Sequence, residues 1–279
     1  MTRSGYLELP AGWTRLDTRG PGPFVTHETY RHADGSVVTW ESRPHRKHRN
    51  LLDTGRGSTW WAPGAVAWWI GVLFMVGSAC FALGAIPAYA DAVGTTTDAI
   101  TFFVGSIFFT GAALLQYLEV VNANSGLAGD RDRRRVQVLA WQPRRIDWWA
   151  SLVQLAGTVW FNVSTFSALH TNLSAARADR LIWRPDALGS VCFLVASGLA
   201  WAEVAHGWLA WRPRSLSWWI AGLNLVGSVA FGASAIASYV VPATGDLRNA
   251  ELANLGTLVG ALCFLVGALL LLPERTRPE

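Results

Sequence analysis

Charge is what this chain has least of. Of its 279 residues, 15% are Asp, Glu, Lys or Arg, where soluble domains carry about 25%. That shortfall excludes an ordinary soluble domain. Lysine is nearly absent, with Lys47 alone among 23 basic residues; so strong an arginine bias points to a GC-rich bacterial genome. Cysteine is scarce too. Cys80, Cys192 and Cys263 all fall inside apolar runs, which excludes a disulfide framework and leaves small packing residues. The opening Met-Thr-Arg-Ser-Gly-Tyr stretch lacks an apolar core, so no cleavable signal peptide is expected there. Catalytic patterns are missing as well: no Ser/His/Asp arrangement, no HExxH and no Gly-rich phosphate loop. His27, His32, His45 and His48 have no cysteine nearby and match no zinc spacing. The expectation is a chain that is not an enzyme, with no metal, no cofactor and no nucleic-acid partner.

What is there is apolar length. Hydrophobic residues make up 51% of the chain. They gather in six runs near 66–87, 99–120, 149–170, 187–205, 217–238 and 252–272, each close to the roughly 20 residues that span a bilayer.

The runs are written in a pattern that recurs three times. Trp61-x-Pro63, Trp68-Trp69, Gly77 and Phe81 return as Trp141-x-Pro143, Trp148-Trp149, Gly157 and Phe161, then as Trp211-x-Pro213, Trp218-Trp219, Gly227 and Phe231. A second run follows each, with its own signature: Gly105, Phe109 and Glu119; Gly189, Phe193 and Glu203; Gly260, Phe264 and Glu274. Self-similarity at this scale marks a repeat architecture. The predicted fold is an all-α membrane protein. Its six transmembrane helices form three parallel helical hairpins. The expected divisions are a segment 1–58, then units 59–140, 141–210 and 211–279. Basic residues set the topology. They crowd the stretch up to Arg56, the linker with Arg131, Arg133, Arg134, Arg135, Arg144 and Arg145, the pair Arg212 and Arg214, and the tail with Arg275 and Arg277. The positive-inside rule then puts both termini in the cytoplasm of a bacterial inner membrane.

Each repeated residue has a physical reading. Tryptophan favours the membrane interface, and Pro63, Pro143 and Pro213 suit a turn feeding a helix start. Gly and Phe four apart share a helix face. Gly77 with Phe81, and its counterparts throughout, therefore offer a notch beside a bulge, and Phe of one helix is expected to fill the Gly notch of another. Glu119, Glu203 and Glu274 each follow the helix glycine by fourteen residues, just under four turns, which puts them on the packed seam at the cytoplasmic end. They read as interfacial caps paired with Arg144 or Arg214, or else as a carboxylate ring for cations. Polar residues inside spans point to function or to interhelical bonding. They concentrate in the third span, and Asn162, Thr165 and His170, with Asn224 in the fifth, form a candidate polar pocket.

Segment 1–58 carries Asp34-Gly35 between two strand-like runs, the signal of a tight β-hairpin. Arg43, Arg46, Lys47 and Arg49 follow it. Such a basic stretch beside a membrane is a candidate contact for anionic lipid.

The second runs, Gly105-Ser106 with Phe109 and Glu119, Gly189-Ser190 with Cys192-Phe193-Leu194, and Gly260 with Cys263-Phe264-Leu265 on to Glu274, resemble the YrhK-like family of small bacterial membrane proteins, as does Gly227-Ser228 with Phe231. The resemblance covers the six spans and not 1–58. It implies two-helix units with no assigned activity and supplies no catalytic residue. Two functional classes follow: a membrane scaffold meeting an unidentified protein partner, or a small channel or transporter along the repeat axis.

Overall fold

In the computed structural model, residues 12–47, 60–123, 136–170, 172–241 and 244–274 are described. A three-stranded antiparallel sheet comes first: β1 (Thr14–Arg19), β2 (His27–Arg31) and β3 (Val37–Glu41), in the order β1-β2-β3. The β2–β3 hairpin turns at Asp34-Gly35, where Gly35 takes φ 88°, a left-handed conformation that glycine adopts without steric cost. Asp34 Oδ1 accepts from both the backbone N–H and the hydroxyl of Ser36. Those two bonds lower the Asp34 carboxyl to about 2. β1 adds a strand that the sequence reading did not anticipate, and its register shifts between Arg15 and Asp17. Tyr30 and Trp40, at 0% and 1% exposure, form the sheet's core with Trp13 and Val25 packed on them.

A short helix α1 (Ser42–Arg46) leads out of β3. Six long helices follow: α2 (Val66–Gly84), α4 (Thr95–Val121), α5 (Ile146–Ala168), α7 (Arg184–Ala205), α8 (Leu216–Ala237) and α9 (Ala250–Glu274). Between them lie short helices α3 (Pro87–Val93) and α6 (Ala175–Ala178), the latter running through a π-helical stretch Asp179–Trp183 into α7. Among the described residues, five helices are long and apolar enough to cross a membrane: Val66–Gly84, Thr95–Val121, Ala175–Ala205, Leu216–Ala237 and Ala250–Glu274. The chain is a multi-pass membrane protein by that measure. α5 is the exception to the six expected spans. Ser151, Gln154, Thr158, Asn162, Ser164, Thr165 and Ser167 dilute its apolar character.

Each long helix packs on its neighbour in sequence, and α9 returns onto α2, so the six close into a ring. Within the pairs α2–α4, α5–α7 and α8–α9 the contact is made by glycine. A Cβ on Gly77 would lie 2.5 Å from the Phe109 ring, on Gly189 2.8 Å from Phe161, and on Gly260 2.5 Å from Phe231. No side chain other than hydrogen lets the backbones approach so closely. The reciprocal glycines meet the Cβ of a cysteine: Gly105 that of Cys80, Gly157 that of Cys192 and Gly227 that of Cys263, at 2.8–3.1 Å from where a Cβ would stand. Two of the contacts between pairs are polar. Ser106 and Thr165 hydroxyls meet at 2.9 Å and Asn162 Nδ2 donates to Thr110 at 2.8 Å across α4–α5; Ser197 and Ser228 meet at 2.7 Å across α7–α8.

The Trp-x-Pro turns repeat a single geometry. Trp69, Trp149 and Trp219 donate from Nε1 to the carbonyls of Pro63, Pro143 and Pro213 at 2.9, 3.0 and 2.9 Å. Trp68, Trp148 and Trp218 donate to Trp60, Ala140 and Ala210. Each tryptophan pair therefore staples the approach segment onto the first helical turn and satisfies its indole N–H groups.

Candidate functional site

The axis of the ring holds six phenylalanines. Phe81, Phe161 and Phe231, from α2, α5 and α8, touch one another at centroid separations of 6.0–6.2 Å. Phe109, Phe193 and Phe264, from α4, α7 and α9, form a second triangle at 5.9–6.3 Å. Within each helix pair the two triangles join: Phe81 to Phe109 at 5.5 Å, Phe161 to Phe193 at 5.1 Å, Phe231 to Phe264 at 5.4 Å. The result is a trigonal prism of rings. The gap left among them is about 10 Å3, with Ser106 the one polar residue named on its wall; that is at the edge of what one water needs in volume and short of the two to four polar partners a water requires.

Next to the prism lies a cavity of about 70 Å3. Its apolar wall is Ile70, Phe74, Phe109, Phe193 and Phe264; its polar wall is Gln116, Glu119, Gln154 and Asn224; Arg43, Arg46 and Lys47 reach it from α1. The C-terminal ends of α4, α7 and α9 meet at this end, carrying Glu119, Glu203 and Glu274, beside the N-terminal turns of α5 and α8 with Asp147 and Ser217. Three helix C-termini and four carboxylates make a strongly negative mouth.

α1 answers it. Arg46 Nη1 donates to Asp147 Oδ2 at 2.9 Å and to Glu203 Oε1 at 3.0 Å. Ser42 Oγ donates to the same Glu203 oxygen at 2.7 Å. Arg43 Nε donates to Glu274 Oε1 at 2.7 Å, Lys47 pairs with Oε2 of that carboxylate, and Ser217 Oγ also donates to Oε1. Arg145 completes Asp147 and donates to the Val120 carbonyl. Arg46, Asp147, Glu203 and Glu274 are each at most 5% exposed. Burial works against the charge of Arg46, yet Glu203, Asp147 and Glu119 outweigh it and raise the guanidinium's affinity for its proton. For Lys47, burial prevails over Glu274 and lowers the ammonium.

This arrangement corrects three expectations. Arg43, Arg46 and Lys47 do not face lipid headgroups, because their charges are spent on protein carboxylates inside the bundle; Arg49 lies outside the described residues. The ion-pair partners of Glu203 and Glu274 come from residues 42–47 and not from Arg144 or Arg214, so the pairs are buried and not interfacial. The four residues of the expected polar pocket are not brought together. Asn162 and Thr165 join α5 to α4, His170 is exposed beside Phe166, and Asn224 alone lines the cavity. Asp147 is a residue of this site that sequence reasoning missed, as are Ser42, Gln116 and Ser217. The signal for Asp147 was there: an acid in the first turn of a helix, where Ala67 and Ser217 stand in the other two units.

The sheet meets the bundle through His206, which ends α7 in a left-handed conformation at φ 50°. Its Nε2 lies 3.4 Å from Glu41 and its Nδ1 3.0 Å from the Thr26 hydroxyl; His27 packs its ring 5.2 Å away. The His206 hydrogen bond lowers the Glu41 carboxyl. Burial, then the neighbouring His206, lowers the His27 imidazole.

No family model, no curated protein and no solved structure matches this chain.

Proposed function

We propose that this chain is a non-enzymatic membrane scaffold. In this reading three two-helix units of YrhK-like type enter a bacterial inner membrane in one sense, around a pseudo-threefold axis. Both termini and the sheet stay on the cytoplasmic side, where the sheet meets a protein partner. The observation that carries it is the phenylalanine prism. A pathway needs a wettable axis, and six mutually packed rings leave no such space. The buried clamp of α1 on the carboxylates supports the same reading, since it ties the sheet rigidly to its anchor.

A channel along the axis is the second reading, and the observation on its side is the polar cavity flanked by Glu119, Glu203 and Glu274. There the prism acts as a closed hydrophobic gate. Cation flux into proteoliposomes separates the two. The scaffold reading expects no flux above protein-free vesicles and a partner retained through residues 1–58. Flux whose selectivity changes in the triple variant E119Q/E203Q/E274Q selects the channel.

A further inference from the structure

The cavity between α1 and the prism has unused hydrogen-bonding capacity. Among the described residues Arg46 Nε is buried without a partner, although the same guanidinium binds two carboxylates through Nη1. Gln116 and Gln154 share one long contact of 3.4 Å, which leaves an amide oxygen and most N–H donors free. Asn224 and Glu119 face the cavity and make no hydrogen bond to another described residue. The half-buried Gln116, Gln154, Asn224 and Glu119 are within reach of water, but the buried Arg46 Nε costs free energy unless something enters to pair with it. At about 10–15 Å3 per water, a cavity of about 70 Å3 has room for roughly five waters or one small solute.

The charges around it select the kind of solute. Arg43, Arg46 and Lys47 balance Glu119, Glu203 and Glu274, and Arg145 balances Asp147. Among the described residues the formal side-chain charges around the cavity cancel, so a net charge brought inside is desolvated without a described counter-charge left to receive it. A ligand needs an acceptor for Arg46 Nε, donors for Glu119 and the amide oxygens, and an apolar end to rest on Ile70, Phe74 and Phe109. Small pockets that combine an apolar wall with a few placed polar groups are the usual form of a binding site.

We propose that the cavity roofed by Arg43, Arg46 and Lys47 is a binding site for a small uncharged amide-type solute. The carbonyl of such a solute accepts from Arg46 Nε, its NH2 donates to Glu119 and Gln116, and its apolar end lies on the phenylalanines. The site does not depend on whether the axis conducts.

The test uses the full chain in lipid nanodiscs. Cys80, Cys192 and Cys263 are changed to Ala, which keeps the Cβ atoms that touch Gly105, Gly157 and Gly227, and Ala200→Cys puts a reporter thiol in the cavity wall. Methyl methanethiosulfonate, small and neutral, reports access to it. Acetamide, acetate and acetamidinium are then compared as competitors; they share a shape and differ in charge and in donor and acceptor pattern, and only acetamide offers both an acceptor and donors without a net charge. Acetamide is expected to slow modification at least ten-fold and the two ions at most two-fold. Arg46→Lys, which lacks the Nε donor in its place, is expected to erase the acetamide effect. Better protection by either ion, or none by acetamide, overturns the proposal. If Ala200→Cys fails to fold, Ala67→Cys on the opposite wall gives the same reading, and a thiol unreactive at both positions overturns it too.

Discussion

Arg46 and Glu203 lie 157 residues apart in sequence and meet at 3.0 Å, both buried, where α1 enters the mouth of the helix ring. The pair ties the sheet module to the bundle. Removing one partner strands the other's charge without water, which costs about 3–5 kcal/mol. Arg46→Ala is therefore expected to lower unfolding free energy in detergent by that amount. In the double-mutant cycle with Glu203→Ala, the second substitution adds little, because the stranded charge is gone. Additive losses show that the pair is not coupled.

The glycines of the helix pairs make a sharper distinction. Gly260→Ala puts a Cβ 2.5 Å from the Phe231 ring and 3.0 Å from the Gly227 carbonyl. The ring is held by Phe264 and cannot swing away freely. A loss of about 1–3 kcal/mol is expected from overpacking. Gly232→Ala is the control: a Cβ there meets no atom of the described residues within 4 Å, and in a helix it gains stability or leaves it unchanged. Thermal unfolding of the two variants checks the order, and equal midpoints contradict the packing described.

Those glycines were legible in the sequence because the contact is written locally, Gly and Phe four apart, three times over. The β2–β3 hairpin was legible for the same reason, through Asp34-Gly35. β1 was not. Its only large apolar residue, Leu16, is 46% exposed, so no hydrophobic alternation announces the strand. The clamp was not legible either. A run such as Arg43-Pro44-His45-Arg46-Lys47 reads as a contact for anionic lipid until the fold brings Asp147, Glu203 and Glu274 to it from over 100 residues away. The expected pocket around Asn162 dissolved because a polar side chain in a span finds its nearest partner, here Thr110, before it finds a cavity.

The prism predicts its own cost. Phe231 is 6% exposed and touches Phe81, Phe161 and Phe264. Phe231→Ala is expected to lose about 3–5 kcal/mol, the range for a large core side chain replaced by a cavity. Phe231→Leu, which refills most of the volume, should recover over half of it. A loss below about 1 kcal/mol for the alanine variant contradicts a packed axis.

Acid should loosen the sheet from the bundle. His27 has an ordinary value of 6.5 and is lowered in the fold, so the folded state binds fewer protons than the unfolded one. Its contribution is complete above 6.5 and is lost as pH falls from there toward the folded value. Glu41, lowered from 4.5, adds a second loss at lower pH, as its carboxylate is protonated below its folded value. Arg19, Asp17 and Arg212 also bear on these two groups. Hydrogen exchange of the β2 and β3 amides should accelerate between pH 7 and 5, after correction for the intrinsic rate. His27→Gln should flatten the upper part of that change. Protection that holds or rises on acidification contradicts the sign.

The most direct measurement is cation flux into proteoliposomes carrying the unmodified chain, set beside Phe81→Ala/Phe161→Ala/Phe231→Ala. A closed scaffold gives flux equal to protein-free vesicles for the unmodified chain, and only the variant with one phenylalanine triangle removed leaks. Cation flux through the unmodified chain contradicts the account.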